Sequence, residues 1–124
     1  MWRKNGKGVL YLYDMDKKEV CGDDYPLTIK GKDFSFIRGT WHHVAERLKI
    51  ITCTAHNGEV EVCIDGQHAA LLKGLQFVNN GSKVDNLYFS TFHGGNSKDW
   101  APVNDSLIWF DDIMIRTNHK DIFR

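Results

Sequence analysis

The sequence predicts an all-β fold: an antiparallel sandwich or barrel laid down as a single domain over residues 1–124. Turn signals recur about every ten residues. The segments between them are rich in Val, Ile, Leu, Phe, Tyr and Trp, and several alternate apolar and polar residues. No stretch carries a helical period beyond a turn or two.

The turn signals are Asn5-Gly6, Cys21-Gly22-Asp23-Asp24, Lys30-Gly31, Arg38-Gly39, Asn57-Gly58, Asp65-Gly66, Asn79-Asn80-Gly81 and Gly94-Gly95-Asn96. Residues 9–13 read as the first strand. Residues 41–52 read as another, with Val44, Leu48 and Ile50 on one side and His43, Arg47 and Lys49 on the other. In residues 59–65, Val60, Val62 and Ile64 oppose Glu61 and Cys63. Asn57-Gly58 between these runs is a hairpin signal, and Asp65-Gly66 joins the second run to a further strand at residues 67–72. Residues 87–92 and 107–116 are nearly continuous in apolar character, which predicts central, well-covered strands. Residues 117–124 are polar and are expected to fray.

Composition narrows the function classes. With 124 residues the chain suits one domain. Lys+Arg and Asp+Glu number 16 each, so no overall basic field points to nucleic acid or an anionic membrane, and a polyanion needs a local patch. No apolar run reaches the roughly 20 residues of a transmembrane helix, and no signal peptide is visible at Met1-Trp2-Arg3-Lys4. Cys21, Cys53 and Cys63 lack the spacing of a zinc site. Cys53 and Cys63 flank a hairpin. A cross-strand disulfide and a pair of free half-buried thiols are both open.

Two clusters carry chemistry. In the first strand Tyr11 and Tyr13 project to one face with Val9, while Leu10 and Leu12 point to the core. Arg3 and Lys7 are near in sequence. Phenols beside cations suit a reaction that removes a proton alpha to a carboxylate, stabilises the resulting charge and protonates a leaving oxygen. Paired tyrosines also occur simply as decoration of a half-exposed strand. The second cluster is residues 88–102, a strand running into a Gly-rich loop with His93, Asn96, Lys98 and Trp100. Such a loop binds sugar through amides, cations and a stacking ring, or is an ordinary surface loop. Its spacing fits no phosphate-binding pattern. His42, His43, His56, His68, His93 and His119 form no metal-ligand spacing, and no nucleophile elbow is present. The pairs Asp14/Asp16, Asp23/Asp24 and Asp111/Asp112 read as solvated turn acids.

Taken in order, these segments resemble the family-14 polysaccharide lyases, which act on alginate and on glucuronate-containing polymers. The resemblance rests on Met1-Trp-Arg-Lys-Asn-Gly through Tyr11-Leu-Tyr13, Gly39-Thr-Trp41-His, Asn57-Gly58 with Asp65-Gly66, Phe89-Ser-Thr-Phe-His-Gly-Gly95, Trp100-Ala-Pro102 and Phe110-Asp-Asp112. It implies an antiparallel β-jelly roll or concanavalin-like sandwich, incomplete in this chain, whose concave face holds an acidic polysaccharide. It implies β-elimination without an obligatory cofactor or metal, with Tyr11 and Tyr13 in proton transfer. Arg3, Lys7, His93, Asn96, Lys98 and Trp100 are the expected substrate contacts. The family's Ser-x-Arg pair precedes the Met-Trp-Arg segment, so this chain is expected to correspond to the C-terminal portion of the family domain. Open sheet edges are then expected to favour self-association. The resemblance also implies secretion. The other reading is a non-catalytic carbohydrate-binding β-sandwich module.

Overall fold

A computed structural model describes residues 3–50, 55–81, 86–91, 93–94 and 97–117. The chain forms two compact units, Met1–Val84 with Arg116–Arg124, and Asp85–Ile115. The described strands pair antiparallel throughout, almost no helix is present, and the sheets are consistent with an incomplete β-sandwich.

The first unit carries every assigned strand. Strand β1 (Val9–Leu12) pairs with β2 (Asp23–Pro26), β3 (Thr28–Ile29) with β4 (Lys32–Asp33), and β5 (Val44–Lys49), β6 (Gly58–Ile64) and β7 (Gln67–Leu75) form a three-stranded sheet with β6 central. Two hairpins close on residues that tolerate left-handed backbone. Asp65 and Gly66 join β6 to β7 at φ 51° and 72°, and Lys30 and Gly31 join β3 to β4 at 51° and 76°. Their right-handed twist matches that of the strands they connect.

The expected hairpin of β5 and β6 exists, but Asn57-Gly58 is not its turn. The ladder ends at Lys49 opposite Glu59, and Gly58 lies inside β6. The Cys21–Asp24 turn signal also ends early, because Asp23 already opens β2.

Alternation in β6 decides the core. Val60, Val62 and Ile64 turn to one face and pack with Leu10 of β1, Leu27, Ala69 and Leu75. Val60 and Ile64 are 0% exposed. The same face of β5 carries Val44, Glu46 and Leu48, opposite Ile64, Val62 and Val60. Among the described strands β5 pairs with β6 alone, and Val44 and Leu48 are largely exposed. The opposite face holds buried Ala45 and Cys63 and a cross-strand ion-pair ladder. Arg47 reaches Glu61 at 2.9 Å and Glu59 at 3.1 Å, and Lys49 reaches Glu59 at 3.2 Å. Cys63 is a buried free thiol, and burial pushes its ionisation upward. Cys53 lies outside the described residues.

The second unit corrects an expectation. Its described residues form no strand at 87–91 or 107–115, where apolar runs predict central ones. Leu87, Tyr88, Leu107, Trp109 and Ile115 are exposed. An apolar run becomes a covered strand only when a ladder partner and a packing layer are supplied, and no described residues supply them here. The unit contains a 3-10 turn, Lys98–Trp100, and an edge-to-face contact of Phe89 with Phe110 at 4.8 Å. Among the described residues no helix is long and apolar enough to cross a membrane.

Candidate functional site

The site on the first unit begins with Asn5-Gly6. Asn5 at φ 62° and Gly6 at φ 75° reverse the chain, and the Arg3 amide donates to the Lys7 carbonyl at 2.7 Å. Glycine is required at position 6. A Cβ there would lie 2.6 Å from the Phe36 carbonyl oxygen, in a conformation L side chains avoid. This reversal returns Arg3 toward β1.

Arg3 is then clamped. Its Nε donates to Asp24 Oδ2 at 2.8 Å, its Nη2 contacts Asp24 Oδ1, and its guanidinium carbon lies 5.1 Å from the centre of the Tyr11 ring. Asp24 is the residue directly opposite Tyr11 in the β1–β2 ladder, so strand register brings carboxylate and phenol together and the Asn5-Gly6 reversal adds the guanidinium. A bidentate carboxylate holds the planar cation in one orientation, and the ring face attracts it.

Tyr11 and Tyr13 share a face, as two-residue spacing requires, with ring centres 5.3 Å apart and planes at 80°. Their hydroxyls are 3.1 Å apart. The Gly22 amide donates to the Tyr11 hydroxyl at 2.9 Å. The hydrogen bond with Tyr13 and burial push Tyr11 above the ordinary phenol value, against the Gly22 amide, which favours the phenolate. Tyr13 is 57% exposed and Tyr11 is half-buried. Val9 departs from the expected arrangement. It is buried, so this side of β1 is apolar at one end and phenolic at the other.

The remaining expected residues have other recorded surroundings. Lys7 Nζ pairs with Asp33 Oδ2 at 2.7 Å. His93, Lys98 and Trp100 belong to the second unit, where Trp100 is 53% exposed. Asn96 lies outside the described residues. The structure thus gathers Arg3, Tyr11 and Tyr13 into one cluster.

Two contributors escape the sequence reading. Asp24 and Asp23 read as solvated turn acids, yet Asp24 clamps Arg3, while Asp23 accepts the amides of Lys18 and Glu19. Those amides hold the Asp23 carboxyl below its usual range. Gly22 contributes through its backbone. The alternation of Asp24 with Tyr25 in β2 is the available signal, and it acquires meaning only with the register to β1. Among the described residues no group of three or more His, Cys, Asp or Glu side chains is arranged to hold a metal.

An all-β chain with paired phenols beside a fixed guanidinium fits the polysaccharide lyases. The family model "Polysaccharide lyase 14" matches residues 1–113, and the chain belongs to that family. The match agrees with the resemblance carried by the ordered motifs. Searches of curated proteins and of solved structures return no match.

Proposed function

We propose that the protein cleaves uronic-acid polymers, alginate or glucuronan, by β-elimination, with Tyr11 and Tyr13 as the proton-transfer residues. The observation that carries this reading is the pair of hydroxyls 3.1 Å apart next to the Arg3 guanidinium. The reaction moves one proton. The electron pair of the C5–H bond becomes the C4–C5 double bond, the C4–O bond breaks, and the glycosidic oxygen takes a proton. A tyrosine that enters the reaction as a phenolate can accept the first proton and return it to the leaving oxygen, which regenerates the phenolate, so no cofactor enters the balance. Guanidinium charge lowers the cost of the developing anion beside the substrate carboxylate.

Arg3 and Lys7, with His93, Asn96, Lys98 and Trp100, are proposed to contact the polymer. Trp100 offers an exposed ring for stacking on a pyranose face. The family match crosses both units, which supports reading residues 1–124 as one lyase-type domain. Secretion follows from the nature of such polymers. Self-association would use an open sheet edge.

The test is incubation with alginate and with glucuronan while following the ultraviolet absorbance of the unsaturated product. Product that disappears in the Tyr11→Phe/Tyr13→Phe double variant supports the lyase. The exposed Trp100 also favours a second reading, a carbohydrate-binding module. Uronate binding that Trp100→Ala weakens, with no product from any polymer, would select that reading and reject the lyase.

A further inference from the structure

The loop between β4 and β5 is closed by one of its own side chains. The Ile37 amide donates to His42 Nε2 at 3.2 Å, and inside this closure the Thr40 amide donates to the Ile37 carbonyl at 3.3 Å. Gly39, the third residue of that inner turn, has φ 73°, a left-handed value that glycine adopts without strain. The His42 side chain is 10% exposed, stands edge-to-face to Phe34 and Phe36, and is fixed through Nδ1 to Asp65. The loop is therefore ordered before any ligand arrives, and binding need not order it.

On this fixed backbone stand two side chains with open surroundings. Trp41 is 69% exposed, and among the described residues its ring meets no other ring and no cation. Arg38 is exposed and has no carboxylate partner among the described residues, whereas Arg3 is paired with Asp24 and Arg47 with Glu59 and Glu61. An open indole face beside a free guanidinium suits a sugar that carries a carboxylate. The pyranose stacks on the indole, and the carboxylate accepts from the planar fork of the guanidinium.

The loop also starts beside the support of the phenol cluster. The Phe36 amide donates to the Gly6 carbonyl at 2.9 Å and Lys7 bridges to Ser35, so the segment leading into the loop lies against the reversal that returns Arg3. Arg38 is two residues beyond Phe36, at most about 7 Å of extended chain. Both the loop and the phenols belong to the first unit. We infer that this loop is a second contact for the uronate polymer, with Trp41 stacking on a pyranose face and Arg38 pairing with a carboxylate. The inference takes its polymer from the lyase reading, while the geometry of the loop is independent of it.

Calorimetric binding of alginate and of glucuronan to the full chain tests the contact. Trp41→Ala should weaken binding about threefold to tenfold, the worth of one aromatic contact. Arg38→Ala should weaken it about tenfold at low salt, the low end for a hydrogen bond to a charged group. The Arg38→Ala loss should shrink as salt is added, and the Trp41→Ala loss should persist. Both side chains are exposed, so urea midpoints serve as the control that each variant keeps its fold.

Unchanged binding in both variants overturns the inference. An Arg38→Ala loss that is as large at high salt overturns the pairing with a carboxylate. The same samples, followed for unsaturated product, separate this contact from the lyase reading. Product from the wild type together with unchanged binding in both variants sinks the second contact and leaves the lyase. Binding that both variants weaken, with no product from either polymer, sinks the lyase and leaves the contact. A wild-type chain that binds neither polymer overturns both.

Discussion

His42 Nδ1 lies 2.8 Å from Asp65 Oδ2, and the Ile37 amide donates to His42 Nε2 at 3.2 Å. The ring therefore carries its proton on Nδ1, toward the carboxylate. Edge-to-face contacts with Phe34 and Phe36, each at 5.5 Å, hold it in place. Asp65 also accepts the His43 amide at 2.8 Å, so the turn joining β6 to β7 anchors the approach to β5. Burial pushes the Asp65 carboxyl up, but the hydrogen bonds from His42 and the His43 amide outweigh it and hold the group below its usual range. A carboxyl depressed in the folded state contributes stability above its unfolded value, and that stability is lost as pH falls through the folded value. Asp65→Asn, which keeps a residue suited to the left-handed turn, should lower the urea midpoint at neutral pH by an amount worth ~1 kcal/mol or less, since the side chain is 40% exposed and screened. The difference from wild type should shrink below about pH 4, the ordinary carboxylate range. A gap that stays constant down to pH 2 would contradict the assignment.

The centre of the sheet should be the costliest place to remove volume. Ile64→Ala should destabilise by about 2–5 kcal/mol, and Val44→Ala on the exposed edge of the same face by less than about 1 kcal/mol. Urea unfolding of both variants checks the contrast. Comparable losses would mean that β5 is covered as well as β6.

Gly6 and Gly31 have nearly the same φ, 75° and 76°, in different surroundings. Gly31→Ala meets no atom within 4 Å and bears only the left-handed strain, about 1 kcal/mol. Gly6→Ala adds a collision with the Phe36 carbonyl and should cost distinctly more. Thermal unfolding of the pair provides the measurement. Equal shifts would remove the argument that Gly6 is needed for close approach.

Asp24→Ala should free Arg3 from its fixed orientation. Product formation should fall by roughly tenfold, the order expected for one misplaced charge at a reacting centre. The urea midpoint should move little, because both partners are substantially exposed. Unchanged turnover would show that Arg3 does not need the clamp.

The legible parts of the molecule are those decided locally. Asn5-Gly6, Lys30-Gly31 and Asp65-Gly66 are turns because Gly, Asn and Asp accept positive φ, a signal that Lys30-Gly31 carries through its glycine alone. Tyr11 and Tyr13 share a face because side chains alternate in a strand, whatever the strand packs against. The roles of Asp24 and Gly22 depend on which residues of β2 lie opposite β1, and register is a non-local property. Residues 107–115 mislead for the same reason. Hydrophobicity states that a segment seeks cover, while a ladder partner must come from elsewhere in the fold.

Glu46 sits between Val44 and Leu48 on the apolar side of β5, the terminal strand of its sheet. A foreign strand docking along that rim would bring its own side chains against a carboxylate flanked by aliphatic groups. An apolar newcomer would strip water from the charge without replacing it, whereas one bearing Lys or Arg at the matching position would neutralise it. The rim therefore discriminates among visitors, tolerating a cationic one and repelling the greasy or acidic kind that leads to precipitation.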